Sequence, residues 1–223
     1  MEKEINIREF IAKNVATLLK NGYVVDLGVG MPTLATNYLP DGVTVFIQAE
    51  NGILGCGPKA EEDEIDPDLI DAGAANIVCL PGGCTFDSAI SFGIIRGGHL
   101  DATVLGALQV DEKGNLANWY LPGKMLPGPG GAMDLVAGAK KVIIAMEHTT
   151  KHGDPKVLKE CTLPLTSNGT VDTIVTDLAI LERTPEGLRI AAIAPHTTLD
   201  YLLQHTGCDL IYDDPDSIPL MIA

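Results

Sequence analysis

An α/β fold, with a mostly parallel sheet, helices on both faces and some antiparallel strands, is predicted by three features of the sequence. Short runs rich in Val, Ile and Leu alternate with segments whose apolar residues recur at helical spacing. Glycine turns follow several of those runs, where buried strands hand over to helices. A hairpin pattern between Thr176 and Ile193, turning at Pro185-Glu186-Gly187, adds antiparallel pairing in the last third. With 223 residues, 46% of them hydrophobic, the chain can bury a full core and is expected to form one domain over residues 1–223.

Ile7, Phe10, Ile11, Val15, Leu18 and Leu19 follow helical spacing, and Asn21-Gly22 is expected to cap that helix. Val24-Val25-Asp26-Leu27 then reads as a strand. It leads into Gly28-Val29-Gly30-Met31-Pro32-Thr33, where Pro32 suits the first turn of a helix and the glycines let backbone approach a ligand. That stretch opens like a dinucleotide fold but has Thr33 in place of the third glycine, so a tight strand-to-helix turn is the plain alternative.

Val43-Thr44-Val45-Phe46-Ile47 reads as a buried strand, and Asn51-Gly52 as the sharp turn after it. The acidic run Glu61 to Asp68 lacks the spacing of a calcium loop and reads as solvated. Asn76 to Leu80 is a further strand, expected to end at Pro81-Gly82-Gly83. Phe86, Ala89, Ile90, Gly93 and Ile94 predict a helix with Arg96 in its last turn and Gly97-Gly98 as its stop.

Ala102 to Leu108 is a strand, Gln109 to Trp119 a polar hairpin turning at Glu112 to Asn115. Pro122 to Gly131 is an irregular glycine- and proline-rich loop entering a helix at Ala132. Such a loop either presents free backbone N–H groups to an anion or links two domains. Val142 to Met146 is a buried strand; a final helix near Thr198 to His205 precedes a short strand at Leu210-Ile211-Tyr212.

Composition narrows the function. The 30 acidic against 15 basic residues give a net charge of −15, which argues against nucleic acid and anionic membranes as partners. Aromatics at 4% are too few for a base-stacking platform. The five cysteines (Cys56, Cys79, Cys84, Cys161, Cys208) show no CxxC or zinc spacing and fit reduced thiols. Neither a signal peptide at Met1-Glu2-Lys3-Glu4 nor a bilayer-length apolar run is visible, so a cytoplasmic location is expected.

Chemistry centres on Glu50, expected where a buried strand gives way to a turn, since ligands of open α/β sheets bind at the carboxyl ends of strands. Position alone leaves it open as a nucleophile, a general base or a solvated acid. No GxSxG elbow or P-loop exists. Cys56 and Cys84 have no adjacent basic residue and read as small buried thiols. His148 and His152 lie four apart, but no helix is indicated there, so polar loop residues are favoured over a metal pair. A carboxylate can attack an acyl thioester through a mixed anhydride, given donors for the oxyanion and protection from water. That route needs no metal and no redox cofactor.

From Asp26-Leu27-Gly28-Val29-Gly30-Met31-Pro32-Thr33 to Thr176-Asp177-Leu178, the chain resembles the B (beta) chains of family I CoA-transferases, the 3-oxoacid CoA-transferase group, such as acetate- or butyrate-acetoacetate transferases. The most specific matches are Glu50-Asn51-Gly52-Ile53-Leu54-Gly55, Phe86-Asp87-Ser88, Ile95-Arg96-Gly97-Gly98-His99, Gly106 to Asp111, Asn115 to Trp119 and Gly130-Gly131-Ala132-Met133-Asp134-Leu135. The resemblance implies the fold shared with ribose-5-phosphate isomerase. It also implies that Glu50 attacks acyl-CoA and becomes a glutamyl-CoA thioester, with CoA as substrate and no other cofactor. It places Gly131 and Ala132, with Gly130, Asn51 and Gly30, around the acyl-CoA.

The family further implies a CoA-transferase alpha-subunit partner, an A2B2 or larger assembly, and short-chain acids (acetoacetate, butyrate, acetate or succinate) as substrates. The family shows Ser where this chain has Ala49, and Gly-Met-Gly-Gly where it has Gly128-Pro129-Gly130-Gly131. Pro129 has no N–H and a fixed φ, which moves the expected oxyanion donors to Gly131 and beyond. Outside transfer, the same site fits an acyl-CoA hydrolase, and the chain fits a non-catalytic member of a larger complex; a sugar-phosphate isomerase rests on fold alone. The acidic surface points to another chain helping to hold CoA.

Overall fold

The computed structural model describes residues 5–123 and 128–223; residues 1–4, and residues 124–127 of the expected irregular loop, lie outside the described residues. The strands are β1 (Val24–Leu27), β2 (Phe46–Ala49), β3 (Ile53–Lys59), β4 (Ile77–Thr85), β5 (Ala102–Leu105), β6 (Gln109–Asp111), β7 (Leu116–Ala117), β8 (Val142–Ala145), β9 (Val157–Leu158), β10 (Thr173–Val175), β11 (Ala179–Thr184), β12 (Gly187–Ile193) and β13 (Leu210–Ile211). The α-helices are α1 (Ile7–Ala16), α2 (Ser88–Arg96), α3 (Ala132–Gly138) and α4 (Leu199–Gln204), and a 3-10 turn spans Pro32–Tyr38.

One sheet runs in the order β13-β12-β11-β10-β8-β5-β1-β2-β3-β4, and a smaller one in the order β7-β6-β9. The centre of the larger sheet, from β10 through β8, β5 and β1 to β2, is parallel. Antiparallel pairing takes over outward from β2 through β3 to β4, and from β10 through β11 to β12. β5 and β8 are buried at every residue, as strands covered on both faces must be. Phe10, Ile11 and Val15 of α1 pack with Val25, Val104 and Ile143 on one face. Ile95 of α2, Leu135 and Val136 of α3 and Leu202 of α4 pack with Leu105 and Ile144 on the other. Each fully buried Ile or Leu contributes about 1.5–3 kcal/mol, so the core holds the strand ends that carry the site.

α1 starts where Asn6 accepts the Glu9 N–H, at 3.4 Å, while its Nδ2 donates to the Glu9 carboxylate. It ends at Ala16, short of the expected Asn21-Gly22 cap. Thr17 Oγ1 donates back to the Asn14 carbonyl at 2.7 Å, and Leu18 tightens to the Val15 carbonyl. Leu19 still reaches the core from beyond the helix.

Strand limits also differ from expectation, and β5 stops at Leu105, short of the expected Leu108. β2 begins at Phe46, three residues later than the β-branched run, because pairing with β1 begins at Phe46↔Val24; Phe46 itself is 51% exposed. β4 runs on through Pro81-Gly82-Gly83 to Thr85. It is an edge strand, where proline's missing N–H breaks no ladder bond. Among the described residues, no helix is long and apolar enough to cross a membrane.

Candidate active site

Glu50 follows the last residue of β2 and is half-buried. The turn that holds it closes with the Gly52 N–H donating to the Ala49 carbonyl at 3.0 Å. Gly52 has φ +126, and an added Cβ there would run into the Phe86 carbonyl oxygen. The Gly52 carbonyl in turn accepts the Phe86 N–H at 2.9 Å, so this turn is clamped to the residue preceding the Asp87 cap of α2. Gly52→Ala is therefore expected to destabilise the protein by more than about 2 kcal/mol, through left-handed strain plus the clash, measured as a denaturation midpoint. Asn51 is exposed, and its Nδ2 donates to the Ile70 carbonyl at 2.7 Å, pinning the turn to the loop between β3 and β4.

The residue that meets Glu50 comes from a distant segment. Gly131 is the N-cap of α3 at ordinary backbone angles, φ −80 and ψ 0. A Cβ on it would lie 3.1 Å from Glu50 Cγ, 3.3 Å from Glu50 Oε1 and 3.4 Å from Phe92 Cζ of α2. The open side of Gly131 is thus filled by the Glu50 side chain, which a Cβ there would crowd, while the backbone angles suit any residue.

The other expected acyl-CoA contacts are spread differently. Ala132 is buried, but its N–H donates to the Pro129 carbonyl at 3.2 Å, so it does not stand free as an oxyanion donor; the proline-led turn uses it. Gly130 has φ +54 with nothing against its open side. Gly30 has φ +96, and its open side meets Arg8 Nη2 at 3.8 Å rather than Glu50. Arg96, in the last turn of α2, binds Asp134 in the first turn of α3 at 2.6 Å and ties the two helices together.

Behind Glu50 lies a buried polar group that the motifs do not single out. Asp26 of β1 is 1% exposed and in register with Gln48 of β2 and Thr103 of β5, both equally buried. Burial, and next the charge of Glu50, hold the Asp26 carboxyl well above the usual carboxylate range. The signal in the sequence is an aspartate inside the apolar run Val24-Val25-Asp26-Leu27.

The cysteines and histidines, read from sequence as buried thiols and polar loop residues, fall in varied surroundings. Burial pushes the Cys56 thiol up to about 12, which leaves it the wrong protonation state for attack. Cys84 is exposed, not buried as expected, because it sits on the edge strand β4. His148 lies on the loop just after β8, as expected, and is fully buried. Its ring nitrogens each meet a hydroxyl at 3.0 Å, Thr176 on one side and Thr206 on the other, and burial pushes its pKa down to about 4. His152 lies on an exposed turn.

A cleft of about 540 Å³ opens at the carboxyl ends of β1, β5 and β8, lined by Val29, Met31, Leu108, Met146 and Lys156 among others. Glu50 does not line it. Lys156 is half-buried there, and that burial lowers its pKa against the opposing pull of Glu147 and Asp177.

A sequence model of the Coenzyme A transferase family matches residues 8–205. The beta chain of the acetate CoA-transferase of Haemophilus influenzae is 49% identical over 210 residues, 94% of this chain and 94% of that one. The B chain of the probable succinyl-CoA:3-ketoacid coenzyme A transferase of Bacillus subtilis is 46% identical over 202 residues, 91% of this chain and 94% of that one. Among solved structures, an acyl-CoA transferase apoenzyme of Escherichia coli O157:H7 superposes with a TM-score of 0.76 at 22% identity. It covers all of this chain, which spans 44% of that longer one, and the likeness is one of fold.

Proposed function

The chain belongs to the Coenzyme A transferase family, and on that premise we propose that it is the beta subunit of an enzyme moving CoA between short-chain carboxylic acids, with Glu50 as the nucleophile. The observation that carries this reading is the meeting of Glu50 with Gly131, a carboxylate at a strand end packed against a residue whose side chain is absent on that side.

A carboxylate oxygen of Glu50 attacks the thioester carbonyl carbon of acyl-CoA, and the electron pair moves to the carbonyl oxygen. That oxyanion collapses, the C–S bond breaks, and CoA leaves as the thiolate, giving an acyl-glutamyl anhydride. The thiolate then attacks the Glu50 carboxyl carbon and expels the product acid, leaving a glutamyl-CoA thioester. An acceptor carboxylate reverses these steps and departs as the new acyl-CoA, with Glu50 restored. Charge is conserved at each exchange, so no net proton transfer is needed. The donor assigned to this oxyanion is the Gly131 N–H, because the Ala132 N–H donates to the Pro129 carbonyl. A single oxyanion donor is worth about 3–4 kcal/mol of barrier.

Both intermediates are open to water, and Glu50 is only half-buried in this chain. An alpha-subunit partner covering this corner would supply that protection, and also cationic groups for the CoA phosphates that a chain of net charge −15 has few of. The H. influenzae and B. subtilis relatives bear different acids in their names at nearly equal identity. The class is therefore short-chain acids, with acetate, acetoacetate, butyrate and succinate as the panel to test.

The test uses this chain with its alpha-subunit partner, an acyl-CoA and each acceptor acid, comparing new acyl-CoA formed with free CoA released. Transfer in excess of release, dependent on the acceptor, is expected. Release at the same rate with and without acceptor would make the protein an acyl-CoA hydrolase instead.

A further inference from the structure

Asp26 lies in the middle of β1, and the sheet register sets it beside Gln48 of β2 and Thr103 of β5. Residues paired in this way project from one face of a sheet, so three buried polar side chains form a row across three adjacent strands. α2 covers the row. Gln48 Nε2 donates to Ser91 Oγ at 3.1 Å and to the Ser91 carbonyl at 3.4 Å. The remaining atoms, Asp26 Oδ2, Gln48 Oε1 and Thr103 Oγ1, are buried without a hydrogen-bond partner among the described residues. Native proteins seldom leave such atoms unpaired, because nothing repays their desolvation. Asp26 Oδ2 and Gln48 Oε1 are both acceptors while Asp26 is ionised; a proton on Asp26 makes one of them a donor.

Glu50 stands on the same side of the sheet. It is two residues beyond Gln48, and the Gly131 position it fills also borders Phe92 of α2. We propose that Asp26 is a positioning residue for Glu50: with Gln48 and Thr103 it forms the buried polar floor behind the nucleophile, and it does so as the neutral, proton-bearing acid that the unpaired Gln48 Oε1 beside it calls for. This rests on the reading of Glu50 as the nucleophile.

The surroundings fit a proton-bearing Asp26. Among the described residues, Glu50 at the end of β2 and the Cys56 thiol of β3 are the titratable groups coupled to it by charge. β5 presents Thr103 and α2 presents Ser91, both uncharged. The nearby ends of these elements are already paired, Arg96 with Asp134 and Lys140 with Asp101. No ion pair to Asp26 exists among the described residues. Burial first, and the Glu50 charge second, keep its pKa high. A second carboxylate here would oppose the oxyanion that forms beside Glu50, and a neutral acid does not.

The experiment uses the assembled enzyme with Asp26→Asn, Asp26→Leu and Glu50→Gln. Asp26→Leu breaks the row and is expected to lower kcat about a hundredfold while KM for acyl-CoA moves less than about threefold, the mark of a displaced nucleophile. Asp26→Asn keeps a neutral donor of the same shape and is expected to recover most of that loss.

Thermal stability against pH gives a readout that does not pass through catalysis. An acid whose folded pKa is raised holds its proton in the folded state while the unfolded chain releases it above about pH 4. Wild-type stability then falls as pH rises from there to the folded pKa of Asp26. Asp26→Asn removes that fall, so its Tm advantage over wild type widens with pH, and in Glu50→Gln the fall ends at a lower pH. Parallel Tm curves for wild type and Asp26→Asn would overturn the proposal, as would an Asp26→Asn variant as slow as Asp26→Leu. An active Glu50→Gln enzyme would instead overturn the nucleophile assignment and leave the pH dependence of stability in place.

Discussion

Replacing Glu50 with glutamine is expected to lower transfer by at least about a thousandfold, with the fold and the assembly intact. An amide of the same shape keeps the contact with Gly131 but cannot open a covalent path through an anhydride. Among the described residues the Glu50 carboxylate makes no hydrogen bond or ion pair, so stability should move by no more than about 0.5 kcal/mol. Turnover with the best acyl-CoA and acceptor pair, together with a denaturation midpoint, separates the two effects. Glu50→Asp asks a finer question. Its carboxylate is withdrawn by one methylene from the attack position, and a loss of about a hundredfold is expected for such a displacement.

Gly131→Val is expected to cost about a hundredfold in kcat, and Gly131→Ala about tenfold, by pushing Glu50 away from the acyl carbonyl. The alanine Cβ would sit 3.1 Å from Glu50 Cγ and 3.3 Å from Oε1, so the side chain must give by a few tenths of an ångström. Valine adds two methyl groups in the same confined space, with Phe92 Cζ at 3.4 Å closing the other side. Since φ is −80 at this position, neither substitution strains the backbone. The effect is thus specific to the site, and circular dichroism and Tm should stay near wild type while kcat falls. Gly52→Ala, which strains the backbone directly, should show the reverse order, with stability lost first.

Local chemistry made much of the fold legible. The strand Val24–Leu27, the turn into Pro32, the helix ended by Arg96 and Gly97-Gly98, and the hairpin around Pro185-Glu186-Gly187 all depend on neighbours in sequence. Strand limits were less legible where tertiary partners decide them. Phe46 starts β2 because Val24 of β1 pairs there, and Pro81 is tolerated because β4 is an edge. His148 reads as a polar loop residue, and only the fold brings Thr176 and Thr206 around its ring.

The candidate site divides in the same way. Glu50 was legible as a carboxylate at the end of a strand, and the Gly130-Gly131-Ala132 motif as the start of a helix. Their meeting was carried by family resemblance, since no spacing rule links a turn after β2 to the N-cap of α3 across the intervening segments. That the Ala132 N–H is engaged was hidden as well: it looks as suitable as that of Gly131 until the Pro129 carbonyl claims it. Asp26 stood in plain view inside an apolar strand. Its meaning required Gln48 and Thr103, which only the sheet register sets beside it.

Mapping the covalent intermediate tests the role of Glu50 most directly. The assembled enzyme is incubated with acyl-CoA in the absence of acceptor, a portion is reduced with borohydride, and both samples are analysed by peptide mass spectrometry. One CoA thioester is expected, on the peptide containing Glu50, discharged by adding acceptor acid, reduced by borohydride at that residue alone, and absent from Glu50→Gln. A thioester on any other residue, or full transfer by Glu50→Gln with no adduct at all, would contradict it.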